Sequence, residues 1–195
     1  MFRVLHSTVN LAHKYIAAIL QEGGVAVDAT VGNGGDTLFL ARLVGKTGRV
    51  YGFDIQEEAI NKARVLIAAE GYAGSVRLFQ EAHENLSEYV REPVDAVIFN
   101  LGYLPGGSRD IVTRPLSTVS AVQQALAVLK PGGIVCIVVY TGHPGGPEER
   151  EELEKHIREL DKKWFCVGRL DFLNREKAPY LIVIEKSLNV GGNKS

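Results

Sequence analysis

A doubly wound α/β sheet is the fold class this sequence predicts, on three observations. An apolar run, Val25-Ala26-Val27, leads through Asp28-Ala29-Thr30-Val31-Gly32-Asn33-Gly34-Gly35-Asp36-Thr37 into an amphipathic run with Leu38, Phe39, Leu40 and Leu43. That order reads as strand, tight glycine turn and helix. From there to Asp161, strand-like and helix-like runs alternate, giving five strands with helices between them. Such alternation builds a parallel sheet covered by helices on both faces. Last, two strand-like runs, Trp164 to Leu170 and Tyr180 to Ile184, follow with no helical run between them. They bring the expected sheet to seven strands and set it apart from an ordinary dinucleotide-binding domain.

The first helix is expected from a Ser7 or Thr8 cap to Leu20, with Leu11, Tyr15, Ile16 and Ile19 on one face and Gly23-Gly24 as its stop. After the glycine turn and its helix, Gly48 to Phe53 reads as the second strand and Glu57 to Glu70 as a helix with Ala59, Ile60, Ala63, Leu66 and Ile67 inward. Val76 to Phe79 is a third strand, Leu86 to Val90 a short helix, and Val94 to Phe99 a fourth strand. Ser117 or Thr118 is expected to cap a helix through Leu129, and Lys130-Pro131-Gly132-Gly133 to form a turn. Ile134 to Tyr140 is the most hydrophobic strand and reads as central. Glu148 to Asp161 is a charged amphipathic helix with Leu153, Ile157 and Leu160 inward.

Composition bounds the rest. The chain has 195 residues, 46% hydrophobic and 23% charged, enough for one substantial core. No linker or low-complexity stretch divides it, so one domain over 1–187 is expected, with 188–195 as a disordered tail. Lys+Arg (22) and Asp+Glu (23) nearly cancel to a net charge of −1, which excludes a global basic field. A nucleic-acid site must then be a local patch. Cys136 and Cys166 sit in apolar runs without metal-ligand spacing and read as buried free thiols in a reducing, cytoplasmic setting; no metal is expected. Met1 to His6 is too short for a signal peptide, and no apolar run is long enough to span a bilayer.

Several stretches carry chemistry. Glycines at 32, 34 and 35 let the backbone turn sharply and let a ligand approach without a Cβ in the way. The helix that follows offers unpaired N–H groups, but Asp36 at its start would repel a phosphate. Asp54 ends the second strand about 20 residues past the loop, where a carboxylate can take both ribose hydroxyls in a bidentate contact, with Gln56 beside it. A helix cap is the competing reading of Asp54, and a plain strand end that of Asp28. Asn100-Leu101-Gly102-Tyr103 closes the fourth strand on the ligand side of the sheet; an ordinary Asx-turn competes there. His83 follows the third strand and His143 the fifth, each weighed against a surface-loop histidine, while His6, His13 and His156 lack a constellation. Arg109, Arg114, Arg169, Arg175 and Lys177 are candidate phosphate contacts, weighed against a solvated surface.

Asp28, Gly32 and Gly34 resemble motif I of the class I S-adenosylmethionine-dependent methyltransferases, with Thr30 in place of the first alternating glycine. The two closing strands resemble the end of the same fold, whose seventh strand inserts antiparallel between the fifth and sixth. The resemblance implies a Rossmann-like, seven-stranded sheet with its last strand antiparallel, and S-adenosylmethionine as cofactor. It implies that Asp28, Thr30, Gly32, Asn33, Gly34 and Asp36 surround the methionine part, with Asp28 near the α-ammonium. Asp54 and Gln56 would then meet the ribose and His83 the adenine. Asn100 to Tyr103 resembles the Asn/Asp-Pro-Pro-Tyr motif of amino-group methyltransferases, with Leu101 and Gly102 replacing the prolines. There Asn100 would accept the N–H bonds of a nitrogen nucleophile, lie against the cofactor and aim the lone pair at the methyl group. Tyr103 would stack on a base or shield the methyl from water.

Together with Gly52 to Gln56, Ala82-His83-Glu84, Asn100 to Gly107 and Tyr140 to Pro144, these motifs are similar to those of one bacterial family, the rRNA methylases by label, over roughly Leu5 to Glu185. That family is similar to the tRNA methyltransferases that complete 5-methylaminomethyl-2-thiouridine at the wobble position. The resemblance implies an N-methyltransferase acting on the 5-aminomethyl group of wobble 2-thiouridine. Its partner would be the tRNA anticodon loop, with Tyr103, Arg109, Arg114 and His143 on the substrate side and a homodimer extending the RNA surface. The rivals are an rRNA base or small-molecule amine as acceptor, a nicotinamide-dependent oxidoreductase, and a non-catalytic RNA-binding module.

Overall fold

Parallel pairing of the apolar runs generates the architecture. The computed structural model describes residues 5–101, 115–140, 146–175 and 178–189. Strands β1 (Val25–Asp28), β2 (Arg49–Phe53), β3 (Val76–Phe79), β4 (Val94–Leu101), β5 (Leu129–Val139), β6 (Phe165–Leu170) and β7 (Tyr180–Lys186) form one sheet in the order β3-β2-β1-β4-β5-β7-β6. Strands β1 to β5 are parallel, and β7 runs antiparallel between β5 and β6. The sheet is thus the seven-stranded mixed one expected. Its strand order reverses between β1 and β4, where a crevice opens beyond the carboxyl ends of the strands.

Helices α1 (Thr8–Ile19), α2 (Gly35–Val44), α3 (Glu57–Ala69), α4 (Leu86–Tyr89), α5 (Pro115–Val128) and α6 (Gly146–Arg158) cover the two faces. Leu11, Ala12 and Ile16 of α1 and Leu40, Ala41 and Val44 of α2 pack on Ala26, Val50, Ala96 and Ile98. On the opposite face, Val122 and Ala125 of α5 and Leu153 and Ile157 of α6 pack in the layer with Val27, Tyr51, Val97 and Phe99. Alternation along each strand divides its residues between these layers. Each large aliphatic side chain buried there contributes roughly 1.5–3 kcal/mol. The Ser7 hydroxyl caps α1 by accepting from the Asn10 N–H at 3.2 Å.

Register decides where the functional strand ends fall. Asp28 lies opposite Gly52 of β2 and Ile98 of β4. Asn100 is one pleat repeat past Ile98, on the same face, and that is the face α1 and α2 cover. Asp54 follows β2 at the same edge.

Some local expectations change. Helix α5 begins at Pro115, so Ser117 and Thr118 lie inside it and do not cap it, and Thr118 is buried. Residues Lys130 to Gly133 belong to β5, where a register shift between Val94 and Ala96 absorbs them. Tyr15 is exposed, because the buried stripe of α1 runs through Thr8, Leu11, Ala12 and Ile16. Cys136 is buried, and burial pushes its thiol up to about 12. Cys166 is exposed, contrary to expectation, because β6 is an edge strand. Residues 190–195 of the expected tail lie outside the described residues.

Candidate active site

Three carboxylates converge where β1 and β2 end. Asp28 is fully buried; its Oδ2 accepts from the Thr37 hydroxyl at 2.5 Å and its Oδ1 from the Thr30 N–H at 3.1 Å. These bonds brace strand, turn and helix start against one another. Burial foremost, then the charges of Asp36 and Asp54, push its pKa up to about 7, against the opposing bonds from Thr37 and Thr30. A carboxyl whose pKa rises on folding keeps a proton that the unfolded chain releases. Its contribution to stability is therefore lost as pH climbs from 3.8 to about 7. Asp28→Asn should flatten the fall of melting temperature between about pH 4 and pH 7. Thermal melts across that range check this, and an unchanged slope would refute it.

Glycine is required at one point of the turn for packing. Gly34 has φ 82°, and a Cβ there would come within 2.9 Å of Ala63 Cα and Cβ on α3. The close approach seen here is that of helix α3. Gly34→Ala should cost on the order of 2–4 kcal/mol from left-handed strain plus overpacking, read by urea unfolding. A Cβ on neighbouring Gly35 would meet nothing within 4 Å. Beyond the turn, Asp54 Oδ2 accepts from the Gly32 N–H and Oδ1 from the Gln56 N–H, both at 2.9 Å. Each oxygen keeps a lone pair for a further donor.

A second cluster joins α1, α2 and β4. The Asn100 N–H donates to Thr30 Oγ1 at 2.7 Å, and Asn100 Nδ2 donates to Asp36 Oδ2 at 3.1 Å. The other oxygen of Asp36 lies 2.7 Å from His13 Nε2. An ionised carboxylate can only accept, so Asn100 turns its NH2 toward Asp36 and its Oδ1 away. Tyr140, just past β5, has its phenol pKa raised by burial and by the charge of Asp36. No Lys or Arg pairs with Asp28, Asp36 or Asp54 among the described residues. An acidic set with one ribose-type carboxylate suits a cofactor that has a ribose and cationic groups but no phosphate.

Residues 50–186 match the family described as "Putative rRNA methylase". The chain belongs to this family. It is also 41% identical, over 92% of its own length and 69% of the relative's, to the chloroplastic tRNA (mnm(5)s(2)U34)-methyltransferase of Arabidopsis thaliana. Its fold matches the crystal structure of a "putative rRNA-methylase" from Clostridium thermocellum with a TM-score of 0.92 and 42% identity, over 94% of this chain and 100% of that one. The crystal structure of "a putative methyltransferase" from Streptococcus mutans, in complex with SAH, matches with a TM-score of 0.85 and 37% identity, over 95% and 99% of the two chains. The methylase is therefore an S-adenosylmethionine-dependent methyltransferase with the class I sheet.

Within this methylase the residues expected at the site have separate fates. Thr30, Asp36 and Asn100 are linked by hydrogen bonds, as are Gly32, Asp54 and Gln56. Asn33 is exposed on the turn. Asp28, expected beside an ammonium group, is buried beneath the turn and braced by Thr37. His83, expected beside an adenine, is buried with its ring edge-on to Phe99 at 6.0 Å and Nε2 3.4 Å from Ser117 Oγ. Burial lowers its pKa, which favours the neutral ring. Tyr103, Arg109, Arg114 and His143 lie outside the described residues, as does Lys177. Arg169 is taken up by Asp171, Glu154 and the face of Tyr180. Arg175 donates to the carbonyls of Leu5 and His6. The sequence reading passed over His13, Thr37 and Tyr140. A signal for His13 existed: it borders the buried Leu11-Ala12-Ile16 stripe of a helix that needs covering, and Asp36 needs a donor.

Proposed function

We propose that this methylase transfers a methyl group to the primary amine of 5-aminomethyl-2-thiouridine at the tRNA wobble position. The orientation of Asn100 carries the reading: with its NH2 held by Asp36, its Oδ1 is an acceptor for the N–H groups of an amine. Similarity to the Arabidopsis tRNA enzyme supports this particular amine. The charge of Asp36 nearby favours an alkyl ammonium over a neutral ring amine.

S-adenosylmethionine supplies, when bound, an electrophilic methyl group on a sulfonium. Asp54, with Gln56, would hold its ribose, and the Thr30-to-Asp36 turn its methionine end. The acceptor amine must first lose a proton, which solvent can take. Asn100 Oδ1 then accepts an N–H and sets the direction of the lone pair, so this chain contributes mainly orientation. On the acceptor side we assign Tyr103 to stacking or shielding and Arg109, Arg114 and His143 to RNA contact. A wobble base already lies in a loop, so presenting it requires little unstacking. One domain bearing both sites, a cytoplasmic setting and a homodimer complete the reading; sedimentation measures the last. No helix among the described residues is long and apolar enough to cross a membrane.

The test is methyl transfer from labelled S-adenosylmethionine to total RNA from a strain lacking the gene, followed by nucleoside mass spectrometry. Label is expected in 5-methylaminomethyl-2-thiouridine. Label confined to rRNA would overturn the proposal.

A further inference from the structure

We infer that His13 is a positioning residue that sets the orientation of Asn100 through Asp36. The inference rests on the amine-methylation reading above. His13 stands on α1, outside the β1–turn–α2 unit that carries Asp28, Thr30 and Asp36 and outside β4, which carries Asn100. Its ring is stacked on Phe39, with centroids 3.7 Å apart and planes 6° from parallel, so the ring plane is set by packing. Its Nε2 is 2.7 Å from Asp36 Oδ1, and the carboxylate being an acceptor, Nε2 carries the hydrogen. The two side chains are only 22% and 11% exposed, so water competes weakly for this bond.

Asp36 is thus held from both sides, Oδ1 by His13 and Oδ2 by Asn100. The terminal torsion of an aspartate is broad, and a carboxylate held from one side can turn. The two ends of an Asn amide are nearly equal in size, so steric packing alone does not choose between them. What chooses is the carboxylate, and what holds the carboxylate is His13. If Asn100 inverted, its NH2 would face the acceptor amine, whose N–H groups are donors too. The amine would lose the Asn100 acceptor, and its lone pair would no longer be aimed. Strand alternation places Asn100 on the face that α1 and α2 cover, which is why a residue of α1 reaches this network at all.

Two variants separate this role from packing. His13→Phe keeps the stack on Phe39 and loses the donor; His13→Gln retains an N–H donor. For His13→Phe we expect kcat on amine-bearing tRNA to fall about tenfold to a hundredfold. Calorimetric affinity for S-adenosylhomocysteine should stay within about twofold, and His13→Gln should recover most of the rate. An activity-independent readout is the side-chain NH2 resonance of Asn100 in amide NMR spectra. It should shift and exchange faster in folded His13→Phe, and return toward the wild-type position in His13→Gln. A wild-type rate in His13→Phe, an unmoved Asn100 resonance, or a His13→Gln enzyme as slow as His13→Phe would each overturn the inference. If wild-type enzyme leaves the amine-bearing tRNA unmethylated, the proposed substrate fails, while the NMR comparison still decides the coupling.

Discussion

Alanine at Asn100 should lower kcat for methyl transfer by about 10²- to 10³-fold and leave affinity for S-adenosylhomocysteine within about threefold. The separation follows from how Asn100 is held. Its backbone N–H bonds to Thr30 Oγ1, and that contact survives truncation of the side chain. Its neighbours Phe99 and Leu101 are buried and keep β4 in register with β5. What alanine removes is the oriented Oδ1 and the donor to Asp36. Asn100→Asp is the sharper control: it places a carboxylate against the carboxylate of Asp36 and should be at least as inactive as alanine. Single-turnover transfer from labelled donor measures the chemical step directly. A rate within a few-fold of wild type would remove Asn100 from the reaction.

Asp54→Ala should act on the other term. Two ribose hydroxyls on one carboxylate are two charge-assisted bonds, each contributing about 1.5–3 kcal/mol. Losing both corresponds to about a hundredfold weaker binding or more. Asp54 also accepts from the Gly32 and Gln56 N–H groups, so its loss frees the turn as well as the ligand contact. Asp54→Asn separates the two effects, since its amide oxygen can still accept one of those N–H bonds but carries no charge. Calorimetry with S-adenosylhomocysteine checks the order wild type, Asn, Ala. Equal affinities for all three would remove the ribose from Asp54.

The strand ends are legible because each candidate carboxylate or amide breaks an apolar run just before a turn. Asp28, Asp54 and Asn100 follow Val27, Phe53 and Phe99, and in a parallel sheet all such ends face one crevice. What local pattern lacks is the third dimension. Tyr15 counts as apolar in a window, but the period of α1 centres on Leu11 and Ile16 and leaves Tyr15 outside. Cys166 looks buried in its own run; only the strand order shows that β6 is an edge. Pro115, a favoured first-turn residue, starts α5, where local pattern points to Ser117 or Thr118 as the cap. Gly34 reads as part of a ligand loop, and the contact with Ala63 of α3, which also requires glycine there, has no signal in the local pattern. His13 borders the buried stripe of α1, but its partner Asp36 is on the next helix, and the link between them passes through the packing of α1 beside α2.

The order β5-β7-β6 has a consequence for synthesis. Strand β6 is made before β7, yet β7 is its sheet neighbour and separates it from β5. A nascent chain that has reached Leu170 therefore holds β1 to β5, already able to pair, and a β6 that has no strand to join. Cys166 to Arg169 are exposed even in the finished sheet, so in a chain that ends before β7 little shields this segment from other chains. Only when Tyr180 to Lys186 clear the ribosome can the last two strands zip on together. A released chain that ends between Leu170 and Tyr180 would expose a hazard that the completed protein does not show.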